Sequence, residues 1–291
     1  MNGDVTTYCS FCKINLGLEV LRKREDGYHD INTLFFQLDN PYDVFTVTES
    51  DAYELVISGS SIASDSSNLV TKAFQRCSDA AGVPLPNLKI ELQKQVPHGA
   101  GLGGGSADAA KAIEIFSELV GDLEPIEQMK IASSLGADVP FFLLNHNAAV
   151  AFGIGDVLDP VFLDIRYPIV IVKPSNIIIP TSAAYSAIRL EDKAPTDFLA
   201  VIDQPLTSWS KTITNDFEAV AFDMHPKLEA LKHGLYDSGA GFALMSGSGS
   251  AFFGVYENSE TAEKAIENFQ KDEDLQVFLA NDYLRQTEGI S

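Results

Sequence analysis

PHGAGLGGGSADAA, residues Pro97–Ala110, sets the reading of the whole chain. Gly99, Gly101, Gly103, Gly104 and Gly105 crowd into the eight positions that end at Ser106. Ordinary packing does not call for such a density. Glycine lets successive backbone N–H groups converge on an anion without a side chain in the way, and a helix N-terminus that follows adds its positive dipole end. Upstream, Leu88, Ile90 and Leu92 alternate with Lys89, Glu91 and Gln93, which predicts a strand wet on one side. Downstream, Ala109, Ala112, Ile113, Phe116 and Leu119 fall at helical spacing. Strand, glycine loop and helix in that order suit a polyphosphate. Gly99, Gly101 and Gly104 also satisfy GxGxxG, but a dinucleotide site needs a dry parallel strand leading straight into the loop and an acidic residue ending a later strand. Here the strand is amphipathic and Pro97 interposes. No Lys-Ser/Thr pair follows the glycines, and HRD and DFG are absent, so neither a Walker A loop nor a protein kinase is encoded.

Working outward, Cys12, Ile14, Leu16, Leu18 and Val20 alternate with Lys13, Asn15, Gly17 and Glu19, predicting a half-buried strand with the second set in water. REDGYHD carries an Asp-Gly turn, INTLFFQL a second strand, NPYD another turn, and VFTVTE and YELVISG two more strands. Helices are predicted over SSNLVTKAFQRCSDAAG and PIEQMKIASSLG. Beyond Gly155 the rhythm restarts: the strand YPIVIVKP, the helix PTSAAYSAIRL, a Pro-bounded loop APTDFLAVIDQPL, the helix HPKLEALKHGLYD, the strand pair FALMSGSGSAFFGVY and the helix SETAEKAIENFQ. Strands arrive in groups rather than in strict alternation with helices, so the class is α+β, with domains expected at 1–155 and 156–291. The turn Ser246, Gly247, Ser248, Gly249, Ser250 reads by itself as a plain hairpin connection.

Composition sets limits. With 291 residues, 45% of them hydrophobic, the chain can bury a large core. Its net charge of −21 repels nucleic-acid phosphates and anionic lipid. No apolar run reaches membrane-spanning length, the opening residues resemble neither a signal nor a transit peptide, and three cysteines suit a reducing compartment, so a cytoplasmic location is expected. Cys9 and Cys12 form one CxxC without a second pair, which argues against a structural metal.

Taken together, KINLGL, DGYH, GAGLGGGSADAA, GADVPFF, IPTSAAY and MSGSGSAFF, in this order, resemble the GHMP small-molecule kinase family over nearly the whole chain. The resemblance implies a two-domain α+β fold, an ATP-binding N-terminal domain with a ferredoxin-like C-terminal substrate domain, and an active site between them. It implies ATP bound on Pro97, Gly99, Ala100, Gly101, Leu102, Gly103, Gly104, Gly105 and Ser106, with Gly247, Ser248 and Gly249 alongside and Ser106 as a contact for Mg²⁺. Asp138 resembles the catalytic aspartate and Lys13 the catalytic lysine. Without the family, Asp138 would read as a helix cap two residues before Pro140, and Lys13 as a solvated strand lysine. Asn15 shares the Lys13 face; Tyr28, His29 and Tyr185 match residues that grip a cytosine base. These last matches point to an acceptor carrying cytidine diphosphate, phosphorylated at a 2-hydroxyl of its methylerythritol in isoprenoid-precursor synthesis. Homoserine, mevalonate and galactose kinases share the pattern more loosely, and a nucleotide-binding protein that has lost catalysis is a further alternative. Ala107, where a second serine is common, and Phe152–Asp156, FGIGD, depart from the family's usual pattern. Oligomeric state is not legible.

Overall fold

Residues 5–121, 123–190 and 193–281 are described by a computed structural model. They form two compact units, each assembled from separated stretches. The first takes the described residues up to Cys12, Tyr42–His98 and Gly103–Asn145; the second takes Lys13–Pro41, Gly99–Leu102 and the described residues from His146 onward. Two long strands, β1 (Thr6–Lys23) and β2 (His29–Glu49), contribute a part to each.

In the first unit the end of β2 pairs antiparallel with β4 (Leu88–Gln93), and β3 (Glu54–Ser58) runs parallel to β4. Against this sheet lie α1 (Leu69–Ala81), α2 (Gly104–Leu119) and α3 (Pro125–Leu135). Sequence dictates their ends: Asn68 caps α1 by accepting from the Val70 N–H at 2.9 Å, and Gly82 closes it in the left-handed region at φ 65°. Pro125 opens α3, where its missing N–H costs nothing. The predicted stripe of α2 buries Ala109, Ala112, Ile113 and Phe116 against Phe45, Ile90 and Leu92. Leu119, expected to join it, is 43% exposed because it is the last residue of the helix.

In the second unit, Thr33–Phe36 of β2 pair with β5 (Ala148–Phe152), which pairs with β6 (Val157–Val161). A separate antiparallel sheet has the order β10-β7-β9-β8, from β7 (Ile169–Pro174), β8 (Phe242–Met245), β9 (Phe252–Val255) and β10 (Leu275–Ala280). Helices α4 (Thr181–Ala187), α5 (Phe198–Ile202), α6 (Leu206–Trp209), α7 (Phe217–Met224) and α8 (Lys227–Asp237) lie between β7 and β8, and α9 (Ser259–Phe269) between β9 and β10. That is the split βαβ plan of a ferredoxin-like domain.

Two expectations change. NPYD is not a turn: β2 continues through it, Asn40 donating its amide to the Leu279 carbonyl at 2.7 Å and Asp43 fully buried. Partners elsewhere in each unit override the local Asn-Pro signal. The loop expected at 194–206 contains α5, capped by Asp197 through the Ala200 N–H, and the start of α6.

Candidate active site

The first unit supplies a helix start. Gly103, φ 70°, occupies the cap position ahead of α2, which has no side-chain cap and no acidic residue in its first turn. Its leading N–H groups and dipole are therefore left for something other than this helix's own side chains to satisfy. The glycines around it serve different ends. A Cβ on Gly104 would sit 2.8 Å from Val96, so this glycine is required by packing, whereas a Cβ on Gly105 would meet nothing within 4 Å. Open space over an uncapped helix start is the cradle a phosphate needs. Ser106, half-buried one residue on, adds a hydroxyl oxygen, a donor type suited to Mg²⁺ that also contacts phosphate oxygens. Pro97 is buried.

Asp138, half-buried, precedes a 3-10 turn, Pro140–Leu143. The residue flanking that turn is Val139, whose side chain makes no capping bond.

The second unit holds Lys13 in place. The strand face expected in water is buried: Lys13 is 3% exposed, Asn15 1% and Glu19 4%. Its polar groups are satisfied by one another. Lys13 donates Nζ to Asn15 Oδ1 at 2.6 Å and to the Gly101 carbonyl at 3.3 Å, and its ammonium lies 4.9 Å from the centre of the Phe35 ring. Asn15 Nδ2 donates to Thr33 Oγ1 at 2.8 Å, which donates to the Gly17 carbonyl. Lys13 is thus held by fixed partners, the pre-organisation an electrostatic catalyst needs.

The two glycine clusters, distant in sequence, meet here. Gly101 has φ +79°, and a Cβ on it would lie 2.0 Å from the Ser246 carbonyl, so backbone passes backbone where only glycine fits. Ser246 Oγ donates to the Gly101 carbonyl at 2.9 Å, and the Ala251 N–H to that of Ala100. Asn215 donates its amide to the Met245 and Gly247 carbonyls at 2.7 and 2.8 Å. The Gly247–Gly249 turn is therefore a braced loop. Ser248 meets Thr181 at 3.1 Å, while Ala100 and Leu102 point into the core. Sequence reading missed Thr33, Phe35 and Asn215. Only Asn215 left a trace, as a capping-type residue ahead of the helical run FEAVAF.

Of the aromatic group, His29 and Tyr185 stack at 5.0 Å with 25° between planes, and Tyr185 meets Phe217 edge-on. Tyr28 is 60% exposed. Partial burial, aided by Lys23, lowers the His29 imidazole pKa, keeping the ring neutral at pH 7 with one nitrogen donating and one accepting.

Residues 68–146 match the model of the GHMP kinases N terminal domain, and residues 200–274 that of GHMP kinases C terminal. The chain belongs to the GHMP kinase family, and it is a small-molecule kinase. Within that family it is 41% identical to the 4-diphosphocytidyl-2-C-methyl-D-erythritol kinase of Parabacteroides distasonis, over 84% of this chain and 89% of the relative. With the enzyme of the same name from Nitratidesulfovibrio vulgaris it shares 36%, over 94% and 98%. The crystal structure of a 4-(cytidine 5'-diphospho)-2C-methyl-D-erythritol kinase superposes with a TM-score of 0.80 at 34% identity, covering 94% and 99% of the two chains. The mevalonate kinase of Methanococcus jannaschii, TM-score 0.71 at 14% identity, shares the fold. Among the described residues no helix is long and apolar enough to cross a membrane.

Proposed function

We propose that this chain transfers the γ-phosphoryl group of ATP to the 2-hydroxyl of 4-diphosphocytidyl-2-C-methyl-D-erythritol, releasing ADP, as a step in cytoplasmic isoprenoid-precursor synthesis. The observation that carries the reading is the uncapped start of α2 with open space over Gly105, beside relatives that bear this enzyme's name. The loop Gly99–Ser106 seats the triphosphate, with Gly247, Ser248 and Gly249 contributing from the braced turn. Mg²⁺, held by phosphate oxygens and Ser106, would neutralise charge on the transferring group. Asp138 accepts the proton of the 2-hydroxyl as its oxygen bonds to the γ-phosphorus and the bond to the ADP oxygen breaks. Lys13 offsets negative charge on the transferring group, and Asn15 orients the acceptor. Tyr28 and Tyr185 offer ring faces to cytosine, and neutral His29 offers a nitrogen to the base edge. Of the acceptor residues, Asn15, Tyr28 and His29 fall within residues 1–155 together with the glycine loop, and Tyr185 falls within 156–291.

The test is a panel of acceptors. ADP release is expected with the cytidylylated methylerythritol and not with mevalonate or homoserine; the reverse preference sinks the assignment. A finer prediction concerns Tyr28→Ala. Loss of one stacking face should raise KM for the cytidine acceptor about tenfold while leaving KM for ATP alone. Because Tyr28 is 60% exposed, the melting temperature should not move.

Gly105→Ala separates fold from function. An alanine in the first turn, where the backbone is already compatible with it, should stabilise the chain by about 0.4–1 kcal/mol by lowering the entropy of the unfolded chain. If the triphosphate rests there, the added methyl group should weaken ATP binding about tenfold, an outcome read by nucleotide titration beside a melting curve.

A further inference from the structure

Three charged side chains are buried together in the first unit, away from Asp138 in sequence and outside every role assigned above. Lys94, Asp43 and Asp108 have side chains 3%, 0% and 5% exposed. Lys94 Nζ contacts Asp43 Oδ2 and, at 2.5 Å, Asp108 Oδ2. Such a cluster is a poor way to gain stability. Each charge loses several kcal/mol of hydration, and apolar replacements of similar volume often do better. Here the arrangement is not even saturated, since Asp108 Oδ1 has no hydrogen-bond partner among the described residues.

What the cluster touches explains its presence. The second oxygen of Asp43, Oδ1, accepts the backbone N–H of Gln95 at 2.6 Å and of Val96 at 2.8 Å. Those are the residues by which the chain enters the glycine loop. Asp108 lies on α2, one turn after Gly104, where the chain leaves the loop. One carboxylate on β2 thus holds the loop's entrance directly and its exit through the Lys94 ammonium. The tolerance is small, because a Cβ at Gly104 would already overlap Val96 at 2.8 Å. Charged hydrogen bonds are short and directional, so they fix the start of α2 against the end of β4 more tightly than apolar packing would.

We propose that Asp43 is a positioning residue for nucleotide binding, acting through Lys94 and Asp108 on both ends of the glycine loop. The inference rests on reading that loop as the triphosphate seat. Asp43 itself, fully buried, touches no ligand.

The full-length chain, Asp43→Ala and Asp43→Asn are titrated with a non-hydrolysable ATP analogue by calorimetry, with KM for ATP and acceptor and a melting curve measured on the same samples. Asp43→Ala should bind the analogue about tenfold more weakly, with KM for the acceptor within about twofold of the parent. Asp43→Asn should recover only part of the loss, because its amide oxygen still accepts from Gln95 and Val96 while its NH2 turns a donor toward the Lys94 ammonium and gives up the tie to α2. A lower melting temperature with unchanged analogue affinity, or equal weakening toward ATP and acceptor, overturns the proposal. Should Asp43→Ala not fold, Asp108→Leu takes its place. It severs the tie to α2 and leaves a neutral Lys94–Asp43 pair, so weaker analogue binding supports the proposal and parental binding overturns it. A parent chain that binds no analogue overturns the reading of the loop, and this assignment with it.

Discussion

Replacing Asp138 by asparagine is expected to lower turnover by about 100- to 10,000-fold, the range for loss of a proton acceptor in the transition state. The substitution preserves shape while removing basicity and turning one acceptor oxygen into a donor. Val139 rather than Asp138 flanks the turn that follows, and asparagine keeps the side chain's size, so the fold is expected to survive. KM for ATP and the melting curve should therefore match the parent. Unchanged turnover would remove Asp138 from the mechanism.

If Lys13 faces the transferring group as proposed, Lys13→Met should be nearly as damaging to kcat, about 100- to 1,000-fold, because a pre-organised charge is lost in a site shielded from water. Its cost in stability is separable. Asn15 Oδ1 loses its 2.6 Å donor, worth about 1–3 kcal/mol for a buried acceptor left unmade, while the Gly101 carbonyl keeps Ser246. Arginine should not rescue it. The pocket bounded by Asn15, Gly101 and the Phe35 ring fits a compact ammonium, not a planar guanidinium. Measuring ADP release and thermal unfolding on both variants decides the matter: parental kcat in Lys13→Met would remove the charge from the mechanism, and full activity in Lys13→Arg would show that any cation serves, overturning the fit to a compact ammonium.

The sequence was most legible where a signal is local. Asn68 and Gly82 bracket α1, Pro125 opens α3, and the glycine-dense stretch runs into α2 as read. It was least legible where distant residues decide. The alternation in β1 is real, yet its polar face is covered, because Lys13, Asn15 and Thr33 satisfy each other and Glu19 accepts from Asn32 and Thr196. No window of sequence contains those pairings. NPYD has the composition of a turn but is held straight by a carbonyl 239 positions away. The strands β5 and β10 escaped notice for a different reason: AAVAF has no alternation to detect, and LQVFLA follows a helix without a turn signal. Of the proposed site, the glycine loop could be singled out from residues and Asp138 only from resemblance, whereas Asn215 and Asp43 bond to backbone atoms that sequence does not show.

The interleaving of the two units has a practical edge. Residues 99–102 are counted with the second unit although the chain on both sides of them is counted with the first, and β1 and β2 are each divided between the two. No pair of cut points therefore excises either unit whole. A fragment ending near residue 145 would lack β5, the partner of Thr33–Phe36, and one starting there would lack the strand carrying Lys13. Dissecting this kinase calls for point substitutions in the intact polypeptide rather than for truncation.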